Sequence, residues 1–563
     1  MDTLRTTLNT LTSSLPIPPC YLLLTFLLLL LKHTLFFPTT PLTRANPPSL
    51  PDRIPFLTNT HLSLTNLPAF QSKVARFFAR TGSNTLLYRL GPRKVYIVQG
   101  ADNVAPLLRV TNDAGSEAFI VGILAQLDMN KSDIDKFRRD TSSRLKRKSP
   151  WSATPDGERV WYGLHRVYEE WMTRMRFSYS MAGRYAVDFE RRVTSCAEEG
   201  GFAVGEGVEG GVFGFVKGAM GAASVVAMCG GRILERNPGF VELAWEFDEI
   251  AFYVLKGAPR WRDRRPFEVR DRFLGAIGRW LDEAWREFDW EGEDAESEWE
   301  EKFGSRFSRE MVRWFLDQGM SMKSARGWMG FVIFALISNT IPITTWALYE
   351  IIRSPSLFAS VRAEVLTAFV PSADGKPPTL DVPKLLSLPL LNSILIETLR
   401  LHLSLNLFRQ VENPAGIVID GYHIPKGCLV QAATRMAHRD EKTWSAEGHP
   451  ASEFWAQRHV KSVVKNGDGE DERLIPEFDV AGKRGSFMPF GGGSGMCPGR
   501  FIAKQEILMT LATMVARFDV EFLGWETLDG KPSEREAGDD PRYDGTIATP
   551  PDREMKVRWK RLW

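Results

Sequence analysis

Hydrophobic and polar positions divide the chain into a strongly apolar start, a mainly helical body and a strand-richer last third. The most apolar stretch is CYLLLTFLLLLLKHTLFF, residues 20–37. Its uninterrupted part, Cys20 to Leu31, is shorter than the roughly 20 residues that cross a hydrocarbon layer about 30 Å thick. Extending it from Leu15 to Phe37 reaches that length and takes in Lys32 and His33, whose stems snorkel. No small-residue cleavage site follows and one basic residue, Arg5, precedes, so an uncleaved membrane anchor is expected rather than a removed signal. Lys32, Arg44 and Arg53 behind it place the body on the cytosolic side. Residues 1–45 are read as anchor and flank, and 46–563 as one catalytic domain. RANPPSLPDRIPFL, with prolines at 47, 48, 51 and 55, reads as a stiff spacer.

Within the body, TLLYRLGPRKVYIVQG (85–100) predicts two short strands joined at Gly91-Pro92. From about 115 to 360 the pattern is helical. The acid- and tryptophan-rich DEAWREFDWEGEDAESEWEEKF (282–303) reads as a solvated helix face or loop. RGWMGFVIFALISNTIPITTWALYEIIR (326–353) is long enough to span a membrane. Asn339, Thr340, Pro342, Thr344 and Thr345 interrupt it, so a helix buried through the protein centre and bent near Pro342 is expected. A further helix is expected at 384–404. GIVIDGYHIPKGCLVQA (416–432) has two alternating runs around a Gly/Pro turn, a helix resumes after Pro498, and GTIATPPDREMKVRWKR reads as a closing hairpin. The fold class is mainly α with minor β.

Composition narrows the function. A formal net charge of +2 over 563 residues argues against a nucleic-acid partner. The five cysteines (Cys20, Cys196, Cys229, Cys428, Cys497) are odd in number and widely spaced, which excludes a disulfide framework or a structural zinc site. Gly205-Glu206-Gly207-Val208-Glu209-Gly210 matches GxGxxG, but two glutamates stand where a pyrophosphate would approach, so a dinucleotide site is rejected.

The informative stretch is SFMPFGGGSGMCPGR, Ser486 to Arg500. A thiolate that ligates a metal from a loop needs N–H donors around its sulfur, and glycines let the backbone curl close enough to supply them. Pro498 stiffens the exit, and a helix beginning near Gly499 points its positive end at the sulfur, favouring the anion. These features suit a single-cysteine axial ligand to haem iron.

Phe490-Gly491-x-Gly493-x-x-x-Cys497-Pro498-Gly499 resembles the haem-binding signature of the cytochrome P-450 superfamily, the haem-thiolate monooxygenases. Glu397-Thr398-Leu399-Arg400 resembles that family's E-x-x-R pair, whose i,i+3 spacing puts both side chains on one helix face. FWAQRHV (454–460) resembles the loop whose arginine, here Arg458, joins them, with Ala456-Gln457 in place of the usual proline-glutamate. Arg409 matches the position whose arginine contacts a haem propionate. The resemblance implies a haem cofactor, Cys497 as its metal ligand, and Phe490, Gly491, Gly493 and Arg409 as cofactor-binding residues.

Two departures stand out. Gly495 occupies a position that often carries arginine or histidine. Ser338 and Asn339 occupy the positions of the acid and threonine that deliver protons in the family. Asn339-Thr340-Ile341-Pro342 is similar to the branch of the cholesterol 7α- and sterol 12α-hydroxylases and prostacyclin synthase. Asn339 and Thr340 are therefore the candidate catalytic residues, with two readings of Asn339: its amide orders a water or substrate, or it bonds only to backbone at the helix bend. Ala335, Leu405 and Ile547 are the candidate substrate-facing residues. The resemblance implies hydroxylation of a hydrophobic sterol-, terpenoid- or lipid-like substrate with O₂ and electrons from an NADPH-dependent flavoprotein reductase, at the endoplasmic reticulum membrane. The alternative is a haem-thiolate isomerase or dehydratase that needs no reductase.

Overall fold

The computed structural model describes residues 46–109, 112–195, 204–205, 207–371, 377–466 and 472–563. The expected anchor, residues 1–45, lies outside the described residues. Six helices and seven strands position the site. The helices are α1 (Val212–Cys229), α2 (Phe240–Leu255), α3 (Arg265–Glu287), α4 (Met322–Arg353), α5 (Pro389–His402) and α6 (Arg500–Arg517). The strands are β1 (Thr85–Leu90), β2 (Arg93–Val98), β3 (Gly207–Gly211), β4 (Asn406–Val411), β5 (Leu429–Ala433), β6 (Phe518–Thr527) and β7 (Arg553–Arg561).

The helix α4 is the axle of the body. It packs against α1, α2, α3, α5 and α6. It and α1 are long and apolar enough to cross a membrane, yet both are mostly buried within the fold. A helix apolar all round is either a span or a core element, and here it is core. Its start is set by Ser321, whose side chain accepts from Ser324 N. Buried Asp133 accepts in turn from the Ser321 and Ser324 hydroxyls at 2.8 and 2.7 Å, placing negative charge at the positive end of the helix. The helix remains continuous through Pro342. Where the bend is expected one bond is missing: Pro342 has no N–H to give the Ser338 carbonyl.

The strands 85–90 and 93–98 form the predicted hairpin, and β5 joins β2 in parallel while β4 pairs antiparallel with β5. The proline-rich segment is no free spacer. Leu50 is buried, and Ser49 bridges to Leu87, with Leu50 N donating to Leu87 O at 2.8 Å. The end of the chain also differs from expectation. β7 pairs with β6 rather than folding back on 545–549, and β3 adds to its other edge. The GxGxxG decoy is thus partly an edge strand, with Glu209 paired to Arg558 at 2.7 Å.

In the acid-rich segment the tryptophans are not solvated. Trp285 and Trp290 pack at 4.7 Å between ring centroids, Arg184 stacks on Trp299 at 3.8 Å, and Trp299 Nε1 donates to Ala227 O at 3.1 Å. Most of the acids face water, apart from buried Glu300, while the Trp299 ring closes over α1. Hydrophobic burial of a large ring outweighs the charge of its neighbours in sequence.

Candidate active site

Cys497 sits in a loop wound on itself. Its N–H donates to Phe490 O at 2.8 Å, and Gly491 N donates to Met488 O at 3.1 Å. Gly491 has φ +73°, and a Cβ there would lie 3.2 Å from Gly495 O, so the turn needs glycine. The amides of Gly499 and Arg500, at the start of α6, point at the sulfur. The Cys497 side chain reaches the surface of the loop, and desolvation by the surrounding loop pushes its thiol up, opposed by these amides and the Arg500 charge. The helix end thus favours the anion, as expected, and a cation on the sulfur would add to it.

Met496 and Pro498, on either side of the cysteine, line a cavity of about 370 Å³. Its lining includes Trp161, Tyr168, Trp328 and Phe331 together with Arg144, His165, Arg500 and Glu169. Among the described residues no three His, Cys, Asp or Glu side chains gather into a metal cluster. A sulfur donor beside an aromatic slot that also carries two arginines and a histidine fits a planar, apolar macrocycle that carries carboxylates and brings four of its own metal ligands. Arg144, His165 and Arg500 were not found from sequence, since they are scattered in the chain and meet only in the fold.

Arg409 accounts for Gly495. Its buried guanidinium donates from Nη2 to Gly492 O at 3.3 Å and from Nη1 to Phe408 O at 3.1 Å. A Cβ on Gly495 would lie 2.9 Å from Arg409 Nη2. The cation expected at 495 is absent because the Arg409 guanidinium fills that place.

Behind the cysteine loop, Glu397 and Arg400 of α5 have no exposed side-chain surface. Arg400 holds Glu397 with two bonds, Nε to Oε1 at 2.8 Å and Nη2 to Oε2 at 2.9 Å. Arg458 Nε reaches Oε2 at 3.0 Å, and His459 Nε2 lies 3.1 Å from Oε1. Arg400 also binds the carbonyls of His438, Ala451 and Glu453. Burial alone would raise the Glu397 carboxyl; the bonds from Arg400 and His459 hold it at about 2. His459, next to Arg458 in FWAQRHV, is a member of the network that sequence reasoning missed.

The middle of α4 faces an opening. Ala335 is exposed although Phe334 and Ile337 beside it are buried. Asn339 Nδ2 donates to Ala335 O at 3.3 Å, and its Oδ1 accepts from Ala548 N at 3.2 Å. The amide thus ties α4 to the loop carrying Ile547, as in the backbone-bonding reading, but across to a second element. Thr340 is buried and its hydroxyl donates to Leu336 O at 2.8 Å, one turn back along its own helix. The Ile547 loop is further held by Ser404 N to Ile547 O at 3.2 Å and by Trp346 Nε1 to Thr549 O at 2.8 Å. Leu405, by contrast, packs with the cluster of Leu407 and Val430.

Known proteins agree with this geometry. The cytochrome P450 family profile matches residues 248–533. The cytochrome P450 monooxygenase calL of Penicillium decumbens is 39% identical over 92% of this chain and 93% of its own length. The cytochrome P450 monooxygenase fsoE of Humicola fuscoatra is 30% identical over 55% of this chain and 56% of its own. Oryzalexin D synthase of Oryza sativa subsp. japonica is 29% identical over 36% of each. With a thiol presented by a glycine loop, an aromatic slot beside it and a family match across half its length, this chain belongs to the cytochrome P450 family, oxidoreductases that carry haem on a cysteine thiolate.

Proposed function

We propose that this chain hydroxylates a hydrophobic sterol-, terpenoid- or lipid-like molecule, with O₂ and with electrons from an NADPH-dependent flavoprotein reductase. The observation that carries the reading is the exposed Ala335 on α4, one turn beyond Phe331 of the cavity lining, where Asn339 ties the helix to the Ile547 loop. A wall of this kind receives an apolar molecule and excludes water. When bound, haem supplies the oxygen activation. The protein's part is positional. Cys497 would hold the iron, with Phe490, Gly491 and Gly493 shaping its loop. Arg409, Arg144, His165 and Arg500 would hold the carboxylate edge. Glu397, Arg400 and Arg458 would keep the loop's scaffold fixed.

Asn339 acts in this reading by holding the Ile547 loop against α4, which sets the shape available to substrate beside Ala335. The likeness to the sterol hydroxylase branch draws on the 339–342 segment, the missing basic residue at Gly495 and GTIATPP near the end, whereas the relatives reported above are two fungal monooxygenases and a plant synthase. Residues 46–563 form the catalytic unit, and the apolar run at 20–37 attaches it to the endoplasmic reticulum membrane. The isomerase or dehydratase alternative draws on the same cavity and predicts turnover without NADPH.

The reduced carbon-monoxide difference spectrum of the full chain tests the cofactor assignment. A thiolate-type Soret band is expected, and Cys497→Ser is expected to abolish it. A folded wild-type protein without that band overturns the reading. A panel of lipids and terpenoids screened by ligand-induced Soret shift then identifies the substrate class, and NADPH dependence of turnover separates hydroxylase from isomerase.

A further inference from the structure

The Glu397 network reaches the cysteine loop through a second histidine. His438 ends the short helix Thr434–His438 and is fully buried. That helix is held at both ends: Thr434 N donates to Leu405 O at 2.9 Å, and His438 O accepts from Arg400 Nη1 at 2.9 Å. The imidazole points at the segment before the cysteine. Its Nε2 accepts from Met488 N at 3.1 Å, and Phe487 packs on it at 5.1 Å between ring centroids. Buried Met488 passes the constraint on. Its carbonyl accepts from Gly491 N at 3.1 Å, closing the turn whose Phe490 O receives the Cys497 N–H at 2.8 Å.

The chemistry of the ring suits this bond. An amide N–H only donates, so Nε2 carries the lone pair and the ring proton sits on Nδ1. Nδ1 is buried without a hydrogen-bond partner. The ring thus leaves one nitrogen unpaired and keeps the other on Met488. Burial first, then the Arg400 and Arg439 charges, hold the imidazole far below its ordinary value, at about 3. It is therefore neutral, and able to accept, throughout the neutral pH range. Leaving a buried amide without its acceptor costs more than a made bond contributes. Loss of the imidazole nitrogen would therefore release the Met488 end of the turn.

We propose that His438 is a positioning residue of the haem site: its imidazole holds the Met488 amide and, through the 488–491 turn, sets where the Cys497 sulfur stands. It acts through Met488 and not on the reacting atoms. The Glu397–Arg400 pair thereby bears on the thiolate through one hydrogen-bonded side chain. The inference rests on Cys497 as the ligand of the iron.

The test uses the haem-loaded full chain and two readouts. One is hydrogen–deuterium exchange at the Met488 amide, which needs no turnover. The other is the lifetime of the thiolate-type Soret band of the reduced carbon-monoxide complex. Two variants separate the bond from the bulk of the ring. His438→Phe keeps a ring against Phe487 and removes the acceptor. His438→Gln removes the ring and brings an amide oxygen to the place of Nε2. In His438→Phe, exchange at Met488 is expected to speed up, and the band lifetime to shorten, by at least about fivefold. His438→Gln is expected to stay within about twofold of wild type in both. A His438→Phe protein that matches wild type overturns the proposal, and so does a change in one readout without the other. A His438→Gln protein that fails as His438→Phe does also overturns it, since packing and not the acceptor would then hold the turn. Should His438→Phe fail to load haem, His438→Gln decides alone: loading with both readouts near wild type upholds the proposal, and any other result overturns it. Wild type without the thiolate-type band removes Cys497 as the ligand, and the proposal with it, while exchange at Met488 still reports the bond.

Discussion

Two buried carboxyls, Glu397 behind the cysteine loop and Glu506 in α6 nine residues beyond the cysteine, meet opposite fates. Glu397 receives bonds from Arg400, Arg458 and His459 and is held ionised at about 2. Glu506 is equally buried, has an oxygen without a partner, and is pushed up to about 8 by burial, with only the nearby Ser224 hydroxyl opposing. Depth is the same in both; the number of donors differs. A buried acid is therefore a fixed anion where cations surround it and a neutral group where they do not. The loop that presents Cys497 is backed by the first kind, and the helix leaving it carries the second.

The sharpest way to break the contrast is to strip the cations from Glu397. Arg400→Ala leaves a buried carboxylate short of two bonds and frees three backbone carbonyls. A loss of about 3–5 kcal/mol is expected, read as a lower denaturant midpoint together with loss of the thiolate-type Soret band. A midpoint within error of wild type would show that the network is not what holds this region.

Glu506 responds in the other direction. Its folded value lies above its unfolded one, so the native state binds more protons between about 4.5 and about 8. The sign follows directly: stability falls as pH rises through that window, by at most about 1.4 kcal/mol per unit. Below the window the group is neutral in both states and contributes nothing. Glu506→Gln removes the charge and is expected to flatten the decline. Denaturation midpoints of wild type and variant at about pH 5 and about pH 8 check it, and parallel slopes would refute it.

How much of this was legible in the sequence depends on how local each feature is. The Cys497 loop and the Glu397–Arg400 pair are written in consecutive residues or one helical turn, so spacing alone exposes them. The strand character of 553–561 was legible from its alternation, but alternation names no partner, and β7 pairs with 518–527 instead of its near neighbour. His438 was invisible for the same reason. It is one of eight histidines, and Met488, whose amide it receives, is 50 residues away. Gly495 was a legible anomaly without a legible cause, because Arg409 comes from a strand more than eighty residues earlier.

The smallest effect tests the neutral end of the comparison. Ser224, buried on α1, places its hydroxyl beside Glu506 without a well-formed bond to it. Were Glu506 ionised in the folded protein, that hydroxyl would be its one nearby donor and its loss would be severe. For a carboxyl that is neutral at pH 7 the loss is slight, since a neutral contact of this quality contributes about 1 kcal/mol or less. Ser224→Ala is therefore expected to lower stability by no more than that at about pH 7. Its cost should grow towards about pH 8, where the anion forms and the missing donor is felt. A cost that is large at pH 7 and independent of pH would mean that Glu506 is charged throughout, and that burial without cations does not neutralise an acid in this helix.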